Sequence, residues 1–218
     1  ALLIFGTLSL VICTDINAQA GTNAPLPPNE VSYLMATGDS LLGIDESKKA
    51  QGYYEQALTQ AEKQRNKSAA ISARVKLAHS LVKQSDFDTA LDYLKTAEAN
   101  PLLSNNSEEQ AKVFSLLGSS YEALGSYDNA FNYLIKALEI REKAGDSEGM
   151  AESLYKIGFM YYSQKNYAKS LKYYEDALLL CEKDTSIHRK YLLNCLSAVG
   201  SVYEELDQQE ESLRYNSR

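Results

Sequence analysis

The sequence predicts an all-α protein, a solenoid of antiparallel helix pairs with about five repeats. Three observations carry this prediction. The first is internal repetition. Stretches that start at Val31, Ile71, Ala111, Ala151 and Leu193 align with one another, at steps of 40, 40, 40 and 42 residues. The second is a set of small residues at fixed places. With each start counted as position 1, position 8 reads Gly38, Ala78, Gly118, Gly158 and Gly200. Position 20 reads Ala50, Ala90, Ala130, Ser170 and Ser212, and position 27 reads Ala57, Ala97, Ala137 and Ala177. The third is helical spacing of large apolar residues between them, as in Phe114, Leu117, Gly118 and Tyr121. A constant period of this size builds a stacked array rather than a fold around one central core.

Residues 1–20 precede the repeats. Leu2 to Ile12 is a mostly apolar run, short for a bilayer span but suited to the core of a signal peptide. Ala18-Gln19-Ala20 supplies a small-x-small cleavage pattern after it. A clipped signal peptide is the expectation, and a buried helix is the alternative. Cys13 follows Ile12, which is too bulky for a lipid-attachment motif. Residues 21–30 read as a linker, with Asn29 as the expected N-cap of the first helix.

Residues 31–218 form the array. The first copy is the least regular, with Thr37 at position 7 and Ser47 at position 17. The second ends at a connector that contains Pro101. In the third copy, Gly125-Ser126-Tyr127-Asp128 breaks the first helix, and Ala130, Leu134, Ala137 and Leu138 make the face of the next. Lys136, Glu139, Arg141 and Glu142 fall on its wet side. The fourth copy repeats the plan with Leu154, Ile157, Gly158 and Tyr161, then Tyr167, Ser170, Tyr174, Ala177 and Leu178. Asp184 to His188 is a connector, and the fifth copy reaches Arg218 inside its second helix. No polar capping helix is visible there, so continuation of the protein is expected. The steric expectation is that Gly at position 8 opposes the small residue at position 20, so Gly118, Gly158 and Gly200 let paired helices approach closely.

These positions resemble the tetratricopeptide repeat. The third copy carries the likeness in Phe114, Leu117-Gly118, Tyr121, Gly125, Tyr127, Ala130, Leu134 and Ala137-Leu138. The resemblance extends over residues 31–218, although the family's Pro at position 32 is missing throughout. It implies a right-handed superhelix, and the 40-residue period implies the long-helix type. It also implies a concave surface lined by positions 2, 5, 9, 12 and 13 of each first helix. The fourth copy places Glu152, Tyr155, Phe159, Tyr162 and Ser163 there, so Tyr155, Phe159 and Tyr162 form an aromatic stripe. That stripe fits either a binding hot spot or packing against a neighbouring repeat. The third and fifth copies add Ser119, Glu122, Asn194 and Ser201 as a polar trough. The second contributes His79, read as a solvated groove residue. Met35 and Asp39, or Val75 and His79, stand where a dicarboxylate clamp requires Lys and Asn, so that mode of recognition is not supported.

Composition and motifs narrow the function. A net charge of −7 argues against a nucleic-acid partner, whose phosphates call for a basic face. No phosphate-binding loop, nucleophile elbow or metal-ligand spacing occurs, so neither catalysis, cofactor nor metal is expected. Cys181 and Cys195 lie on consecutive predicted helices and are read as two buried thiols or a bridged pair. The expected role is peptide or protein binding, in the periplasm or envelope of a bacterium. The array then serves as the sensory part of a larger regulator (with a kinase, cyclase or helix-turn-helix output), or as a stand-alone scaffold. Contact with a membrane is expected only through the signal peptide or a segment beyond Arg218.

Overall fold

A computed structural model of the chain describes residues 30–184, 187 and 189–218. The signal peptide, most of the linker with Asn29, and His188 lie outside the described residues. Among the described residues ten α-helices follow one another: α1 (Glu30–Gly43), α2 (Ser47–Lys63), α3 (Lys67–Lys83), α4 (Phe87–Glu98), α5 (Ser107–Ala123), α6 (Tyr127–Ala144), α7 (Ser147–Ser163), α8 (Tyr167–Lys183), α9 (Arg189–Glu205) and α10 (Gln209–Asn216). A short 3-10 helix (Pro101–Asn105) sits between α4 and α5, its proline at the first turn where no N–H is needed. There are no strands among the described residues. Each helix packs on the next, and odd-numbered helices α3, α5, α7 and α9 also touch in succession. The result is an all-helical solenoid of five helix pairs.

Two kinds of turn make the repeat. Between the helices of a pair, position 15 adopts a left-handed backbone in every copy: Asp45, Ser85, Gly125, Lys165 and Asp207 have φ of 65°, 62°, 74°, 57° and 58°. Only Gly125 does so without steric cost. The residue after it caps the second helix in two copies. Asp86 accepts from the Thr89 N–H, and Asn166 from the Lys169 N–H. Asn66, Asn106 and Asp146 do the same at the start of α3, α5 and α7. These capping residues stand at position 16 in two copies and at position 36 in three.

The glycines at position 8 lie against large side chains of the paired helix. A Cβ on Gly158 would stand 2.6 Å from Cδ1 of Tyr174, and one on Gly118 would stand 2.6 Å from Cγ of Leu134. Gly38 faces Tyr54 and Gly200 faces Asn216 in the same way. Position 8 therefore receives the side chain at position 24 as its nearest neighbour. At Gly118 the backbone oxygen of Ala130, the position-20 residue, also comes close, at 3.2 Å. A helix turn separates 20 from 24, so the large residue reaches over the glycine while Ala130 lies beside it. Ala130, Ala137 and Ala177 are wholly buried, leaving room for the neighbouring helices.

Position 23 is Tyr in all five copies: Tyr53, Tyr93, Tyr133, Tyr173 and Tyr215. Where position 11 is also Tyr, the two rings stack within the pair. Tyr121–Tyr133, Tyr161–Tyr173 and Tyr203–Tyr215 have centroids 5.7, 5.6 and 5.6 Å apart and planes within 19°. Offset stacks of this kind add about 0.5–1.5 kcal/mol beyond the area they bury.

Candidate functional site

The aromatic stripe lies on α7, because Tyr155, Phe159 and Tyr162 are spaced by four and three residues and share one face of that helix. The face opens onto a cleft of about 210 Å³ whose other wall is α9, with Asn194, Ser197, Ala198 and Ser201. Tyr174 of α8 forms its floor, tilted against Tyr155 at a centroid distance of 5.3 Å. Phe159 is the exposed member, with 45% of its surface open. Tyr155 is half-buried and packs against the core beneath α9, the neighbouring-repeat packing that the sequence offered as one alternative. Burial pushes the Tyr155 phenol up, and that of Tyr174 further. Both stay neutral and act as apolar surface with a hydroxyl.

Five of the eight candidate binding residues thus meet: Tyr155, Phe159, Tyr162, Asn194 and Ser201. The walls come from different copies, and it is the stacking of α9 on α7 that brings them together. Ser197 belongs to the same wall, one turn from Ser201.

The other three lie elsewhere. Ser119 donates its hydroxyl to the Ser115 carbonyl at 3.1 Å, an internal bond of α5. Glu122 accepts from the Ser163 hydroxyl at 2.7 Å, which ties α5 to α7. Glu152 is engaged in an ion cluster at the junction of α6 and α7. Arg141 is buried there and donates to Glu152 Oε2 at 2.7 Å, to the Ser153 hydroxyl at 2.8 Å and to the Gly149 carbonyl at 2.8 Å. Lys156 pairs with Glu152 Oε1 at 2.8 Å and donates to the Ser115 hydroxyl at 2.7 Å. Burial pushes the Glu152 carboxyl up, but Lys156 and Arg141 outweigh it and bring it down to about 2. Glu152 is committed to this structural contact, and Arg141 belongs to the interior rather than to the wet face of α6.

Arg141 was legible in one respect. It occupies position 31, where the other copies with a helix there have the buried residues Ala61 and Cys181. A charged residue among small ones needs a buried partner. Cys181 faces Cys195 across the next junction, as two free, buried thiols in hydrogen-bonding contact. Burial pushes both thiols up, Cys195 to about 12.

His79 on α3 is half-buried rather than solvated, and stands close to Lys156 and Lys83. Burial lowers its pKa, and the charges of those lysines lower it further while Glu152 opposes them. Its imidazole is neutral at pH 7.

Comparison with known proteins agrees with the all-helical fold. The tetratricopeptide repeat family model matches residues 109–178 and 149–218, together just over half of the chain. A curated relative, kinesin light chain-related protein 1 of Arabidopsis thaliana, is 24% identical over 136 residues, which is 60% of this chain. The chain spans only 22% of that relative's length. Among solved structures, BtubC (BKLC) from P. vanneervenii superimposes with a TM-score of 0.72 at 18% identity, over 87% of this chain and 78% of the other. A Rap protein complexed with competence and sporulation factor gives a TM-score of 0.78 at 14% identity, over 95% of this chain and 57% of the other. At these identities the structures share the fold.

Proposed function

The chain belongs to the tetratricopeptide repeat family, and on that premise we propose that it is a peptide-binding interaction module whose partner docks in the cleft between α7 and α9. One observation carries the proposal: an exposed Phe159 stands among Tyr155, Tyr162 and Tyr174, facing a wall of small polar side chains. Exposed aromatics beside hydrogen-bonding groups are what interface hot spots are made of. A cleft of about 210 Å³ accommodates one large apolar side chain, while Asn194 and Ser201 supply donors and acceptors for a peptide backbone. Binding rather than catalysis is the reading that this lining supports. The solved relative held with competence and sporulation factor shows the same fold engaged with a ligand.

The cellular setting is part of the proposal. The apolar run Leu2–Ile12 and the Ala18-Gln19-Ala20 site support export, so the module works in the bacterial envelope, as the sensory array of a larger regulator. No helix among the described residues is long and apolar enough to cross a membrane.

Phe159→Ala tests the docking site, because its open side chain contributes little to the core. Captured on the purified full chain from an envelope extract, the partner is expected to be retained at least tenfold less by the folded variant. Equal capture by both proteins refutes the site.

A further inference from the structure

One end of the cleft is acidic, and its carboxylates form no ion pair among the described residues. On α9, Ser197, Ser201 and Glu205 follow at every fourth residue, so the polar wall of the cleft runs directly to the Glu205 carboxylate. Glu205 accepts from the Tyr162 hydroxyl at 3.3 Å and from the Tyr167 hydroxyl at 2.8 Å. Glu204 beside it accepts from the Ser212 hydroxyl at 3.0 Å. Neither carboxylate pairs with a cation among the described residues. Neutral hydroxyls fix where these carboxylates stand and leave their negative charge in place. Tyr162 connects the two features, because its ring lines the cleft and its hydroxyl holds Glu205. The opposite end of the stripe is different: there Glu152 is already neutralised by Arg141 and Lys156. The chain as a whole is acidic, with a net charge of −7, which steers cationic partners toward it.

Resting on the peptide-binding reading, we propose that the occupant is a basic-apolar peptide segment. One aliphatic or aromatic side chain sits against Phe159 and Tyr155, and a Lys or Arg of the same segment meets Glu205 and Glu204. The spacing follows from helix geometry. Eight residues of helix separate Ser197 from Glu205, a rise of about 12 Å. An extended peptide covers that distance in about three or four residues. The anchor and the cation are therefore about three or four residues apart.

A random 12-residue peptide library displayed on phage is the probe, selected in parallel on the full-length chain, on Glu204→Gln/Glu205→Gln and on Phe159→Ala. The unmodified protein is expected to enrich peptides with an apolar residue about three or four positions from Lys or Arg. The double Gln variant is expected to keep the apolar preference and lose the basic one. Synthetic copies of the selected peptides are expected to bind that variant about tenfold more weakly, with a difference that shrinks as salt is raised. Enriched peptides that depend on Phe159 but carry no basic residue, or bind the double Gln variant equally well, overturn the inference and leave the peptide-binding reading standing. Enrichment of no peptide that depends on Phe159 overturns both.

Discussion

At the scale of single residues, the repeat is a set of steric decisions whose signs differ from place to place. Gly158 has an aromatic ring where a methyl would go, whereas Gly52, inside α2, has nothing within 4 Å of its missing Cβ. Gly158→Ala is expected to cost about 1–3 kcal/mol through overpacking against Tyr174. Gly52→Ala is expected to gain about 0.5–1 kcal/mol from helix propensity. Thermal unfolding of the two variants checks both, and shifts of the same sign contradict the packing account. The αL turns offer a second case. Lys165 holds φ at 57°, in a copy where Gly125's counterpart is not glycine. Lys165→Gly relieves that strain and is expected to stabilise by about 0.5–1 kcal/mol, after the cost of a freer unfolded chain. Denaturant melts measure it, and a less stable variant refutes the strain. The glycines were legible as needing a reason, but not which residue supplies it. A period places residues on a helix face, whereas side-chain reach decides whether position 20 or position 24 covers the gap.

At the scale of helices, the junctions differ more than the repeats do. The same place in the stack, between position 31 of one copy and position 3 of the next, holds Ala61 and Ala73, then Arg141 and Ser153, then Cys181 and Cys195. The α6–α7 junction is ionic and therefore responds to acid. Glu152 has its folded pKa at about 2, below its ordinary 4.5. The cluster's contribution to stability is thus fully present above pH about 4.5, and is lost as the pH falls from there toward about 2. Glu152→Gln is expected to flatten the pH dependence of urea unfolding across that window. A curve as steep as the parent's removes Glu152 from the acid response. Helix existence and order were legible because each copy states the pattern again. The ion cluster was not, because Glu152 finds Arg141 eleven residues back on another helix, and positional assignment from one helix face does not see across the turn. The Tyr at position 23 recurs in all five copies of the sequence, but its stacking on position 11 depends on how the two helices pair.

At the scale of the whole molecule, stacking turns a local pattern into a surface. Neither α7 nor α9 alone makes the cleft. Tyr155, Phe159 and Tyr162 become a wall only when Asn194 and Ser201 of the next copy stand opposite. About half of the candidate site was legible for that reason: residues on the two facing helices were named separately and prove to meet, while Ser119, Glu122 and Glu152 serve contacts within and between α5, α6 and α7. The central claim is that a partner lies in this cleft and not along the outside of the array. Site-specific photo-crosslinking in cells tests it most directly, with benzoylphenylalanine in place of Phe159 in one protein and in place of Leu179 in another. Leu179 is as exposed as Phe159, at 49% against 45%, but stands on α8 away from the cleft wall. The account predicts a discrete partner adduct through position 159 and none through position 179. Adducts through position 179 with none through position 159 contradict it.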